Sequence, residues 1–383
     1  MNFDSILNQI GFFVIFQGFL LGAALWFIKK GEQQLNRLLG VSLLMFSWSG
    51  VYYTIDQMGK MGEYKSLAYT NFPSDYIYNP LIFLYVCSLT IKDFRPNKKW
   101  LLHFIPAALL IIYYSNYYFS SAAHKQEIFS RGYNYFPYDV AIFSYANLLQ
   151  LVIYLTLGAI ILQRYGKKIT GFYSNIERRN YNWLKFILII NMVSAVICFF
   201  IYGTHMAIYG KVLSLMGAIL VCGIGYKMID TPPQLPDSNL KEEADEPAME
   251  EAPEPELTRY AKSGLTDDRV KQLAEKLLVL MERDKPWLQP ELTLKQTAEL
   301  MHIPTHQLSQ VINQHFKKNF YDFVNNYRVE EVKHRLSQTE YAHLTILAIA
   351  FDCGFNSKAS FNNVFKKLTG HAPSALRNAE FSQ

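Results

Sequence analysis

The sequence predicts an all-α protein in three parts: a seven-helix transmembrane bundle over residues 1–230, a disordered acidic linker over 231–264 and an all-helical domain over 265–383. Three observations predict it. Seven apolar runs of bilayer-crossing length fill the first part, a Pro- and Glu-rich stretch follows, and beyond it a helix–turn–helix pattern occurs twice. Charge divides the chain in the same places. There are 19 Lys and Arg against 10 Asp and Glu in residues 1–230, 3 against 9 in 231–262, and 15 against 13 in 263–383. The overall net charge of +5 therefore describes none of the parts.

A bilayer core takes about 17–25 mostly apolar residues per helix. Such spans fall near 6–28, 36–55, 76–92, 101–119, 139–162, 183–202 and 207–229. Ser47, Ser49 and Thr54 in the second are hydroxyls that a helix bundle satisfies internally, and Asn79 and Pro80 blur the start of the third. The first span reads as retained rather than as a cleaved leader, because Asp4 precedes it and no Lys or Arg does.

Loop cations give the orientation. Alternate connections hold Lys29, Lys30 and Arg37, then Lys92, Arg95, Lys98 and Lys99, then Arg164, Lys167, Lys168, Arg178, Arg179 and Lys185. The other set holds only Lys60, Lys65, Lys125, Arg131 and Lys211. The richer set is expected inside, which puts the N-terminus outside and, for an odd number of spans, the C-terminus in the cytoplasm. Trp26, Trp100, Trp183 and the tyrosines Tyr113, Tyr114, Tyr117 and Tyr118 are expected as an interfacial belt, with a ligand cage as the sharper alternative. Asp56, Asp75 and Asp139 fall near predicted outer ends of spans. No charge falls at mid-bilayer in the well-defined spans, which argues against an ion-coupled transporter.

The linker has too little apolar content to offset the entropy of ordering, and its prolines and like charges keep it extended. Its acidity would repel both nucleic-acid phosphate and an anionic leaflet. The four cysteines, Cys87, Cys198, Cys222 and Cys353, show no metal-ligand or CxxC spacing, so no metal site, disulfide framework or cofactor is expected. No phosphate loop or nucleophile constellation appears either, and the 121 residues after the linker leave no room for a kinase domain beside the repeat. The chain is not expected to be an enzyme.

In the last part, Thr266 is placed to cap a helix through about Arg283 whose Val270, Leu273, Leu277, Leu280 and Met281 share one face. The first copy of the repeat is TLKQTAELMHIPTHQLSQVIN, 293–313. Thr293 caps it, Ala298 allows a close helix crossing, Ile303 plugs the turn, and Leu308, Val311 and Ile312 face inward. The second copy is TILAIAFDCGFNSKASFNNVFKK, 345–367, with Ala350, Gly354 and Phe355 in those parts and Phe361, Val364 and Phe365 inward. Its turn is one residue longer. Residues 319–337 between the copies have the periodicity of a long connecting helix.

A recognition helix enters the major groove with its N-terminal side chains on base edges, and two on one chain can enter successive grooves. Helical spacing puts His306, Gln307, Ser309, Gln310 and Asn313 outward in the first copy, and Lys358, Ala359, Ser360, Asn362, Asn363 and Lys366 in the second. Asn and Gln pair bidentately with adenine and Lys with guanine, while Ser and Lys also hold phosphates. Lys317, Lys318, Lys367 and Arg377 are candidate backbone neutralisers.

LSQVIN, NFYDFVNNYRVEEVKHRL, GFNSKASFNNVFKK and the terminal GHAPSALR resemble the AraC-type bacterial transcription regulators over residues 285–380. His302 departs from the pattern, standing where that family has a small residue. The resemblance implies double-stranded DNA as partner and regulation of transcription, as an activator or as a repressor. With the apolar spans and the loop cations, the expectation is a membrane-bound variant: a multi-pass protein of the bacterial inner (cytoplasmic) membrane, with the lipid bilayer, RNA polymerase, a second copy of the chain and an unidentified signal ligand as further partners. The alternative is a membrane receptor or transporter whose helical tail binds a protein, which the low charge of the last part motivates.

Overall fold

Helices packed in lipid meet through small residues, since apolar surface gains little by leaving a hydrocarbon solvent. The first two helices meet in that way. The computed structural model describes residues 3–28, 33–91, 94, 97–130, 137–176, 182–201, 216–217, 219–224 and 265–375; these are helical apart from turns, with no strand among them. The chain separates into two units, residues 1–163 with 181–237, and residues 164–180 with 238–383.

In the first unit α1 (Phe3–Phe27) and α2 (Gln33–Gln57) cross at Gly22 and Gly40. A Cβ on Gly40 would lie 2.7 Å from the Gly22 carbonyl oxygen, and one on Gly22 would lie 2.9 Å from that of Gly40. The backbones touch. Helix α3 (Asn71–Thr90) is buried along nearly its whole length and carries Pro80 inside it. It is followed by α4 (Ile105–Tyr113), α5 (Ser115–Tyr118), α6 (Ala122–Ser130), α7 (Pro137–Phe172) and α8 (Asn182–Ile201).

Buried polar side chains occupy the interior: Asn36, Ser47, Ser49, Thr54, Ser74, Asn79 and Asn191. Phe16, Leu20, Ile142, Leu149, Ile189 and Phe200 are exposed. Three helical segments, Gln9–Phe27, Gln33–Gln57 and Asp139–Phe172, are long and apolar enough to cross a membrane, and Trp183–Ile197 is a shorter apolar one.

Two expectations change here. Residues 101–119 are not one continuous helix: a 3-10 segment (Lys98–Phe104) leads into α4, which stops at Tyr114. There the Tyr114 ring turns inward and lies nearly parallel to Tyr69 (centroids 5.0 Å) and Phe72 (5.8 Å). Tyr114 and Tyr117 accordingly belong to a buried cluster rather than an interfacial belt, with the Tyr117 hydroxyl donating to the Lys65 carbonyl at 2.6 Å. Most of the seventh predicted span, and the linker as far as Gly264, lie outside the described residues.

The second unit contains α9 (Asp267–Arg283), α10 (Leu294–Leu300), α11 (Thr305–Gln314), α12 (Phe320–Leu336), α13 (Ile346–Asp352) and α14 (Lys358–Thr369). All but α11 start on side-chain caps, from Thr266, Thr293, Asn319, Thr345 and Ser357. Thr293 and Gln296 form a full capping box. Helix α12 splits its apolar residues between two cores. Phe320, Phe323 and Val324 join Leu294, Ala298, Leu308 and Ile312, while Val329, Val332 and Leu336 join Ile349, Ala350, Phe361 and Phe365. Residues 164–180, read from the sequence as the connection after the fifth span, belong to this unit, with Phe172 packed on the first of its cores.

Gly40→Val should loosen the α1–α2 crossing by about 1–3 kcal/mol, the usual cost of overpacking. Gly62→Ala, where a Cβ meets nothing within 4 Å, should stay within about 0.5 kcal/mol. Melting of both variants in lipid nanodiscs measures the contrast.

Candidate nucleic-acid interface

Each helix pair turns in the same way. His302 has φ 56° and Gly354 φ 90°, both left-handed. The His302 N–H donates to the Glu299 carbonyl (3.0 Å) and the Ile303 N–H reaches back five residues to Ala298 (3.1 Å). In the second pair the Gly354 N–H donates to Phe351 (3.0 Å) and the Phe355 N–H to Ala350 (3.1 Å). This is a Schellman ending: a left-handed residue closes the helix, and the next, apolar one packs back on it. It explains why a small residue suits that position and why Ile303 and Phe355 follow it. His302 keeps the geometry in spite of its Cβ.

The second turn's extra residue is Asn356, whose amide donates to Glu291 Oε1 at 3.0 Å. Asn175 donates to the same oxygen at 2.8 Å. Helix α11 then starts after Pro304, and α14 after Ser357, whose hydroxyl accepts from the Ser360 N–H.

The candidate contacts differ between the two helices. On α14, Lys358, Ala359, Asn362, Asn363 and Lys366 are exposed, and Ser360 is half-buried at the cap. On α11 only His306 is fully exposed; Gln307, Ser309 and Asn313 are half-buried, with Asn313 Nδ2 donating to Ser309 Oγ at 3.4 Å. Gln310 is not outward. Only 2% of its surface is exposed, because it borders the buried Leu308–Val311–Ile312 face, and its amide donates to Gln314 Oε1 at 3.1 Å. Among the candidate neutralisers, Lys317 is exposed and Lys318 half-buried, Lys367 is paired with Asp322 at 2.7 Å, and Arg377 lies outside the described residues. No group of three or more His, Cys, Asp or Glu that could hold a metal occurs among the described residues.

What joins the two pairs is Arg328, at the middle of α12 and 1% exposed. Its Nε donates to the Trp287 carbonyl (2.8 Å) and Nη2 to the Gln289 carbonyl (2.7 Å), both in the connection before the first pair. Nη1 reaches the Ser174 carbonyl (3.3 Å) and Asn325 Oδ1 (3.2 Å), and Nη2 also reaches Ser174 Oγ (3.1 Å). The guanidinium carbon lies 5.9 Å from the Phe355 ring of the second turn. A Cβ on Gly354 would fall 2.6 Å from the Trp287 oxygen and 2.9 Å from Arg328 Nε. Burial lowers the guanidinium to about 10, so it stays charged at neutral pH.

Ser174 is itself held twice by Leu292, whose carbonyl accepts from its N–H (3.1 Å) and its hydroxyl (2.7 Å). Asn325 Nδ2 donates to the Ser174 carbonyl at 3.0 Å. Sequence reasoning missed this cluster. One signal was present: Arg328 falls four residues from both Val324 and Val332, a charge on the apolar face of its helix.

Residues 297–379 match a family model described as a helix-turn-helix domain. The chain is 30% identical over 101 residues to the HTH-type transcriptional activator RhaS of Pectobacterium carotovorum, covering 25% of this chain and 35% of that protein. It is 29% identical over 101 residues to the HTH-type transcriptional regulator GlxA of Rhizobium meliloti, covering 26% and 30%. The chain thus spans about a third of the length of these curated relatives. No solved structure matches it.

The two turns should respond oppositely to substitution. His302→Gly relieves a left-handed Cβ and should stabilise the unit by about 0.5–1 kcal/mol. Gly354→Ala adds both strain and a clash and should cost about 2 kcal/mol or more. Arg328→Lys loses the planar fork and strands buried carbonyls, an expected loss of about 2–4 kcal/mol. Hydrogen exchange of the α10–α14 amides in urea, on the intact chain, measures all three.

Proposed function

We propose that this chain, whose residues 297–379 form an AraC-type helix-turn-helix domain of a transcription regulator and not of an enzyme, is a membrane-tethered, sequence-specific regulator that couples a membrane or extracytoplasmic signal to transcription. The observation that carries the tethering is the apolar outer surface of the first unit. Beside an interior in which asparagines and serines are buried among apolar side chains, it exposes many phenylalanines, leucines and isoleucines, an outside that suits lipid and would be costly in water. With the C-terminal domain in the cytoplasm, as the loop cations favour, chromosomal DNA is within reach.

Base reading falls mainly to α14, with Asn362, Asn363 and Lys366 on base edges and Lys358 and Ser360 on phosphates. Helix α11 adds His306, Gln307, Ser309 and Asn313, and Gln310 supports that helix from within. The signal travels through α7. At 36 residues it is about 54 Å long at 1.5 Å per residue, well beyond a bilayer core of about 30 Å. Its residues from Arg164 onward fold with the DNA-binding unit and lead to Ser174, on the arginine that joins the two helix pairs. Shifting that segment would change the angle between the recognition helices, a two-state element of the kind coupling requires.

The test is selection from a randomised duplex library by the intact protein in nanodiscs at physiological salt. A site with two elements about one helical turn apart is expected. Asn363→Ala should weaken binding to that site by about 1–3 kcal/mol and relax one position, whereas Gln310→Ala should lower stability without changing sequence preference. Recovery of no enriched sequence would favour the reading in which the tail binds a protein.

A further inference from the structure

The first unit encloses a cavity of about 150 Å³ where α1, α2, α3, α7 and α8 converge. An apolar cavity of this size holds a benzene-sized molecule. The lining of this one is mixed: Val14, Ile15, Phe46, Leu148 and Leu151 are apolar, and Asp75, Ser47 and Asn147 are polar.

Asp75 decides the chemistry. Tyr53 donates to its Oδ2 at 3.1 Å, and the Ser49 and Asn71 side chains also bond it. A carboxylate accepts about four hydrogen bonds, so capacity remains, and Asp75 keeps part of its surface accessible where it lines the cavity. Among the described residues, no Lys, Arg or His lines the cavity to balance it. A carboxylate sunk among helices without a cation is strongly unfavourable, and an ammonium group beside it would make a short, charge-assisted bond.

We propose that this cavity binds a small amphiphile carrying one ammonium group. The cation sits on Asp75, one of its N–H donors takes the carboxylate site that the protein leaves open, and an apolar body of about six to nine non-hydrogen atoms rests on Phe46 and Leu151. The binding site stands on the cavity alone. That its ligand is the regulatory signal rests on the function proposed above.

Calorimetric titration of the intact protein in nanodiscs with 2-phenylethylammonium and with the neutral 2-phenylethanol tests it, with no DNA present. The ammonium probe should bind at least tenfold more tightly than the alcohol. Asp75→Asn should remove that preference and leave the alcohol unaffected, and Ala195→Phe, which fills the cavity, should abolish binding of both. Equal binding of the two probes, absence of binding, or retention of ammonium binding in Ala195→Phe would each overturn the proposal, even if Asp75→Asn failed to fold. A second titration with the selected DNA, with and without the ammonium probe, asks separately whether occupancy changes DNA affinity. Failure there would count against the regulatory role and leave the binding site intact.

Discussion

A charged guanidinium taken out of water is tolerated only where nearly every N–H finds an oxygen, and Arg328 meets that condition with carbonyls from two separate stretches of chain and with Asn325 Oδ1 of its own helix. The relation between the two helix pairs depends on it. Their apolar cores are distinct, one on each half of α12, so packing alone would leave the halves joined by a single helix. The arginine ties α12 by directional bonds to the connection before the first pair and to Ser174, and its guanidinium lies 5.9 Å from the Phe355 ring of the second turn. The Gly354 position completes the fit, since no larger residue could lie against both Trp287 and the guanidinium.

The first unit obeys the opposite solvent logic. Its helices approach through glycine at Gly22 and Gly40, and its serines, asparagines and one aspartate turn toward one another. Hydrogen bonds such as Tyr78 Oη to Asn191 Oδ1 (3.0 Å) and Asn79 Nδ2 to Gln150 Oε1 (3.1 Å) tie α3 to its neighbours. Polar bonds of this kind thus run through an interior that is otherwise apolar, as in the buried cluster of Tyr69, Phe72 and Tyr114.

Much of the second unit was legible in the sequence because its order is local. The apolar face of α9, the cap at Thr293, the length of α12 and the inward Phe361, Val364 and Phe365 all follow from periodicity within a few turns. Even the departure at His302 is local, a left-handed residue that the backbone tolerates. What escaped was set by partners distant in the chain. A helical wheel gives the angle of Gln310 but not what covers it, and hydropathy reads 101–119 as one span because it cannot register Tyr114 turning inward to stack. Nothing periodic marks Ser174, a polar residue in a connection, as belonging to a domain that begins a hundred residues later.

That last separation has a consequence for how the molecule is made. Ser174 and Arg328 stand 154 positions apart, so the ribosome releases the serine long before its arginine exists. The C-terminal unit is therefore complete only once a distant, earlier-made piece returns to it, although the entropy of closing so large a loop grows slowly with its length. A fragment cut to begin after the linker would retain every recognition residue and still lack the Ser174 oxygens that Arg328 requires. In this chain the frontier of the DNA-reading domain is drawn by hydrogen bonds, not by the order of residues.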